Sequence, residues 1–424
     1  MPFIFTRGIK KYFLSLVFGL MLLTPIVLPS IFMMVFNASS MAGGLFVALC
    51  LSICTLLILS AFRWKSQDMT GGIVLIIIVM CVVMIHGVIS YLIYDNFDSN
   101  RFLRTYFFLL FFLLGAFSFA KLTLKVTLAQ ADIAVKFVFY ILLLSSIAAI
   151  LNFSPFSSGQ NKPVFFFYEP SHFALSFLPF LLYIIITSAS GKFRILLCLS
   201  AYSIALLLES FTLVVGVTII ACLCLPLRQL LFFISFIGIL IALNAESLDH
   251  YVSRVDIFSD NLNLTTLVYL SGWESAFLNV KETFGIGVGF QQLGVFWGLG
   301  EYRESLSARG YYDLNLMDGG FVGAKLIGEF GVLGIVLILL YLSYCAKIIF
   351  MIRKDLLGVT QPHLRTNVFF YSSFVMYGMD LFFRGTGYFS SSGFLFLVSL
   401  MWIVSINSPN YLWVKKQIIS ESTS

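Results

Sequence analysis

Charge is what this sequence has least of. Lys, Arg, Asp and Glu together make up 11% of its 424 residues, against roughly 25% in soluble domains. That shortage excludes a chain that covers itself with water-facing polar side chains. The motifs of aqueous catalytic domains are missing as well: there is no Walker A loop, no GxSxG, no HExxH, and no paired-aspartate site of the kind that holds a nucleotide-sugar through a metal. Gly285-x-Gly287-x-Gly289 has no strand before it, so a dinucleotide fingerprint is excluded. Without a nucleotide site, the energy for any chemistry must come from the substrate. All seven cysteines (Cys50, Cys54, Cys81, Cys198, Cys222, Cys224, Cys345) fall inside apolar runs with no CxxC spacing. They read as small hydrophobes, and disulfides or zinc sites are not expected.

What is present is apolar residue in membrane-length runs. Hydrophobic residues make up 60% of the chain and the mean hydropathy is +0.99. Runs near the 17–25 residues needed to cross a bilayer recur throughout. The expected fold class is therefore all-α: a polytopic integral membrane protein of about twelve spans. These lie near 12–36, 42–62, 70–94, 102–120, 134–152, 171–189, 193–208, 211–226, 229–245, 317–348, 366–383 and 391–410. The first run is too long for a cleavable signal and reads as a span. With this count, these basic clusters fall on one side: Arg7, Lys10 and Lys11; Arg63 and Lys65; Lys121, Lys125 and Lys136; Lys192 and Arg194; Arg228; Lys347, Arg353, Lys354 and Arg365; Lys415 and Lys416. That side is expected to be cytoplasmic, with both termini on it. The net charge of +6 is thus a topology signal and gives no reason to expect nucleic acid.

Three segments follow from this layout. Residues 1–245 carry spans one to nine, 246–315 form a large loop on the outer face, and 316–424 carry spans ten to twelve with a short tail. A loop this long is expected to be functional. It carries Tyr251, Tyr269, Trp273, Trp297, Tyr311 and Tyr312, and is expected to pack as a cap on short amphipathic helices.

The outer face gathers the residues that carry chemistry. Arg254, Arg303 and Arg309 in the loop, and Arg384 after span eleven, are basic where the charge bias disfavours basic residues. Arginine holds phosphate through two parallel bonds and stays charged when partly desolvated, so a lipid-linked pyrophosphate is a natural partner. The alternatives are pairs with neighbouring acids: Arg254 with Asp256 or Asp260, Arg303 with Glu301 or Glu304, and Arg384 with Asp380 four residues before it. Tyr388 sits one turn beyond Arg384. In "FFFYEPSHFALSFLPF", Glu169 and His172 stand between apolar runs. Pro170 fits a first helical turn and Glu169 or Ser171 fits a cap, which leaves His172 to bind sugar hydroxyls, assist proton transfer or hold an arginine. Asp318 precedes Gly319-Gly320 and is a candidate base, or a clamp for Arg309, or a helix cap. Lys325 and Glu329, four apart, are expected to satisfy one another within a broken lead-in to span ten.

At "YEPSHFA", "SGWESAFLNVKETFGIGVGF", "DGGFVGAKLIGEFGVLGIVLILLYL" and "FFRGTGYFS" the chain resembles the Wzy-type O-antigen polymerases, which share a broad group with O-antigen ligases. The resemblance implies a GT-C-like glycosyltransferase of the bacterial inner membrane. It would join undecaprenyl-pyrophosphate-linked repeat units on the periplasmic face, with no cofactor or metal. It also implies membrane lipid, a Wzz-type chain-length regulator and a flippase as partners. The residues themselves agree with this: Glu169, His172 and Asp318 are the catalytic candidates, to position or deprotonate the acceptor hydroxyl, and Arg254, Arg303, Arg309, Arg384 and Tyr388 are the candidates to hold pyrophosphate or glycan, with no base carried over from the family. Two departures stand out: Trp273 follows Ser271-Gly272 where many relatives carry arginine, and Asp318 stands where ligases carry histidine. A ligase acting on lipid A–core, and a flippase or secondary transporter, are the other readings.

Overall fold

The computed structural model describes residues 7–38, 40–61, 70–124, 126–156, 162–243, 262–295, 300–356 and 365–406. Its regular elements are helices: α1 (Arg7–Phe36), α2 (Ala42–Ala61), α3 (Thr70–Ile93), α4 (Ser99–Thr123), α5 (Leu128–Ile150), α6 (Pro170–Thr187), α7 (Gly191–Leu207), α8 (Phe211–Cys224), α9 (Leu227–Leu243), α10 (Leu264–Glu282), α11 (Glu301–Ala308), α12 (Val322–Phe330), α13 (Val332–Leu356), α14 (Arg365–Met376), α15 (Gly378–Phe382) and α16 (Ser391–Ile406). Six of them, α1, α3, α4, α5, α6 and α13, are long and apolar enough to cross a membrane, and shorter apolar helices accompany them. Two expected spans are divided. Span ten breaks at Gly331 into α12 and α13, and span eleven breaks at Tyr377 into α14 and α15. The second break is held by the Tyr341 hydroxyl, which donates to the freed carbonyls of Phe374 (3.0 Å) and Val375 (3.1 Å).

Burial sorts the helices. In α6, 78% of the span is inside the protein, against 28% in α3 and in α13. α3 turns Ile73, Val74, Ile77, Ile78 and Ile85 outward, as a lipid-facing helix should. α6 instead carries Phe173, Phe177 and Phe180 fully buried. Phe177 stacks on Phe139 of α5 at 5.5 Å and Phe180 meets Phe369 of α14 at 5.1 Å. The residues ahead of α6 are therefore delivered to the centre of one end of the bundle.

At that end the connections meet. Ser210 Oγ, before α8, donates to the carbonyl of Pro170 (3.4 Å), and the Gly385 amide after α15 donates to Gly320 (3.1 Å). The described part of the large loop is α10 packed on α11 and α12. The glycine-rich turn that follows α10 is a packing device. Val288 and Gly289 donate to the carbonyls of Gly328 (3.1 Å) and Glu329 (2.9 Å), and Val332 donates back to Gly285 (2.8 Å). His86 Nε2 meets the Ile286 carbonyl at 2.9 Å. The turn thus splints the break between α12 and α13.

Gly331 has φ +57°, and a Cβ there would lie 2.0 Å from the Gly285 carbonyl oxygen. Gly310 has φ +84° but open space around it. Gly310→Ala should therefore show only the backbone penalty, about 1–2 kcal/mol. Gly331→Ala should lower thermal stability in detergent several times more, because two backbones must part. Equal melting shifts would refute the splint.

Candidate functional site

Phe165 (φ +52°) turns the chain between paired Val164 and Phe167. Phe167 is fully buried against Phe173 at 5.5 Å. This plug fixes Glu169 in extended conformation as the residue that starts α6. Contrary to the capping expectation, its side chain makes no cap hydrogen bond. It faces across the bundle end, and Oε1 accepts from Arg384 Nη2 at 3.0 Å and from the Ser171 hydroxyl, with His172 Nε2 3.2 Å away. Arg384 lies beyond the end of α15, where the i, i+4 relation to Asp380 no longer holds. The alternative Asp380–Arg384 pair is not made, and Asp380 is fully buried elsewhere.

Burial raises the Glu169 pKa, but His172, Arg384 and the Ser171 hydroxyl outweigh it and lower it from 4.5 to about 2. A carboxylate held that low is a poor proton acceptor near neutral pH, and a good anchor for a guanidinium. Since its folded value lies below its unfolded one, its contribution to stability is complete above about 4.5 and is lost as pH falls toward about 2. Glu169→Gln lacks that contribution. Melting temperatures of wild type and variant in detergent should differ most above pH 5 and converge in acid; a constant difference would show that the charge of Glu169 is not involved.

Beside this cluster opens a cleft of about 610 Å³, within the 300–1,000 Å³ of small-molecule sites. Three helices begin on it. The first-turn residues Pro170 and Ser171 of α6, Phe211 and Thr212 of α8, and Thr265 and Thr266 of α10 all line it. Ser210 and Asn263 cap the last two, accepting from the amides of Leu213 (3.3 Å) and Thr265 (2.9 Å). Leu208, Phe211 and Phe383 make an apolar side, and Tyr269 closes the α10 side. Lys162 and Glu209, paired across the cleft's edge, complete it.

Asp318 and Tyr388 belong to a second cluster. Lys325, 1% exposed, donates to Asp318 Oδ1 (3.0 Å), the Met317 carbonyl (2.7 Å) and Gln291 Oε1 (3.3 Å), and lies 5.2 Å above the Tyr388 ring. The expected pair with Glu329 is made, at 3.8 Å from Oε1, and Asp318 is the nearer acid partner. The helix after Asp318 starts at Val322, so Asp318 is not its cap, and its acid clamps Lys325, not Arg309. The Asp318 side chain is half-exposed, and the segment from Arg384 to Tyr388 links the two clusters: Gly387 packs on Asp318.

Arg303 and Arg309 enter neither cluster. Arg303 is buried and donates to the carbonyls of Leu314 (2.8 Å) and Tyr312, not to Glu301 or Glu304. Arg309 donates to the Leu262 carbonyl (2.7 Å). Both brace the described part of the loop. Arg254 lies outside the described residues, as do Tyr251 and Trp297.

No protein-family model, curated protein or solved structure matches this chain. The site is therefore read from its own geometry. Sequence reasoning placed a span start at 211 without its part in the cleft, and missed Lys162 and the helix start at Leu264. The available signal was a capping residue, Ser210 or Asn263, directly before an apolar run.

Proposed function

We propose that this protein is a membrane glycosyltransferase of the O-antigen polymerase type, joining polyprenyl-pyrophosphate-linked repeat units into polysaccharide. The observation that carries the reading is the convergence of three helix N-termini with Arg384 and Lys162 on one cleft. Each helix start presents about half a positive charge and outward-pointing amides, a ready seat for phosphate. The apolar side of the cleft suits a lipid carrier. Twelve crossings, the GT-C-like architecture, cytoplasmic termini and a periplasmic site in the inner membrane belong to this proposal, as do a chain-length regulator and a flippase as partners.

In the transfer, an acceptor sugar hydroxyl oxygen bonds to the anomeric carbon of the donor. The bond from that carbon to the carrier oxygen breaks, and its electron pair leaves with the pyrophosphate. Arg384 and the helix ends stabilise that growing charge. Glu169 aims Arg384. The hydroxyl proton goes to a carboxylate, and Asp318, half-exposed and paired with Lys325 in the neighbouring cluster, is assigned that role. Tyr269 offers a ring for a sugar face.

The test is a gel of surface lipopolysaccharide from a strain lacking the protein, with and without the wild-type gene. Core bearing one repeat, with the ladder lost and restored by the gene, supports polymerisation. Bare core with finished polymer left on its carrier would replace it with a ligase; bare core without that polymer points to a flippase. An unchanged ladder rejects the O-antigen reading.

A further inference from the structure

His172 has no role in the transfer just described, and its setting is unusual. It is 9% exposed, one face stacked near Tyr168 (6.3 Å), and it is turned away from the cleft. Its two nitrogens face different things. Nε2 lies 3.2 Å from Glu169 Oε1. Nδ1 is buried and has no hydrogen-bond partner among the described residues. The ring borders a small cavity of about 10 Å³ lined by hydroxyl residues: Ser30, Ser176, Thr386, Ser390, Ser391 and Ser392. Two of these, Thr386 and Ser390, belong to the linker after Arg384, so the cavity lies between the imidazole and the same segment that presents the guanidinium.

A carboxylate needs a donor from Nε2, so the proton belongs there. A neutral ring then leaves Nδ1 as an acceptor, and the hydroxyl-lined cavity is a source of donors for it. A second positive charge beside Arg384, buried on the same oxygen, is the arrangement that burial disfavours. The ring is too deep to meet a substrate in the cleft, so it acts through another residue.

We propose that His172 is a positioning residue: with its proton on Nε2, it ties Glu169 to the hydroxyl-lined cavity and so fixes where Arg384 stands on the cleft wall. This deepens the functional reading above, because it names what holds the pyrophosphate-binding group. Nδ1, without a partner among the described residues but facing hydroxyls, is left as the acceptor, which leaves the proton on Nε2 beside Glu169.

Two measurements test it on the full-length protein in detergent or nanodiscs. The first is ¹⁵N NMR of histidine-labelled protein at neutral pH. The chain has four histidines, and a His172→Gln spectrum identifies the signal. The expected result is a neutral ring, Nε2 protonated and Nδ1 bare, whose shifts change in Glu169→Gln. A ring protonated on Nδ1, or one indifferent to Glu169→Gln, overturns the proposal. The second is binding of inorganic pyrophosphate. His172→Phe keeps a ring but loses the donor, and should weaken binding about tenfold, as loss of a bond to a charged group does. His172→Gln retains a donor and should stay within about threefold. Equal weakening in both variants, at unchanged melting temperature, would make His172 a packing residue only. If wild type binds no pyrophosphate, the functional reading falls, while the NMR result still decides the role of His172.

Discussion

Arg384→Ala is expected to lower the rate of glycan transfer by about 100-fold or more, the loss seen when one group aimed at developing charge is removed. The reason is geometric. Arg384 is the cation on the cleft wall whose position is set by the protein, through Glu169 at 3.0 Å. Lys162 is mostly exposed and cannot be aimed as well. Arg384→Lys should recover little, because an ammonium cannot reach both Glu169 and a phosphate as a planar guanidinium does. Glu169→Gln keeps an oxygen for Arg384 but loses the charge, and should fall between wild type and Arg384→Ala. The measurement is the initial rate with purified lipid-linked repeat units, at matched melting temperature. Wild-type rates in Arg384→Ala would dismiss this cleft as the donor site.

Lys325→Met should destabilise the fold by about 3–5 kcal/mol, the usual result of removing one partner from a buried ion pair. Lys325 and Glu329 are 1% and 0% exposed. Without the ammonium, Glu329 is left with no cation in its burial site, and Asp318 loses the donor at 3.0 Å that orients it. The double variant Lys325→Met/Glu329→Gln should recover much of the loss, because the remaining amide carries no charge. Residues in one network do not add, and that non-additivity is the expected result. Thermal unfolding in detergent reads both variants. A Lys325→Met protein that melts like wild type would show that the cluster does not hold the lead-in to α13.

Much of the architecture is legible in the sequence because a bilayer asks a simple question of a helix. Length and hydropathy are local, so residues such as Ile73 to Ile85 announce a lipid-facing helix on their own. The breaks were partly legible. "DGGFVGAKLIGEFG" signalled a broken lead-in, but placing the break at Gly331 needed the glycine turn that packs on it. Arg384 and Glu169 each stood out as polar residues beside apolar runs, yet nothing along the chain says that positions 215 apart share a hydrogen bond.

The local guesses failed where a nearer partner lay across space. Helical spacing offers Asp380 as an alternative partner for Arg384, but the helix ends before Arg384, so that spacing has no meaning there. The charge bias along the chain places Arg303 and Arg309 with Arg384 on one face. In the fold they donate to backbone carbonyls of the loop's described part, Arg303 to Leu314 and Tyr312 and Arg309 to Leu262. The sequence by itself determined an all-helical, membrane-built chain and most helix positions, since hydropathy and capping depend on neighbouring residues. Only the tertiary structure decided which polar groups form a site. α6 is buried on every side, so its first residues meet the starts of α8 and α10 at one end of the bundle, and that meeting depends on packing between segments far apart in the chain.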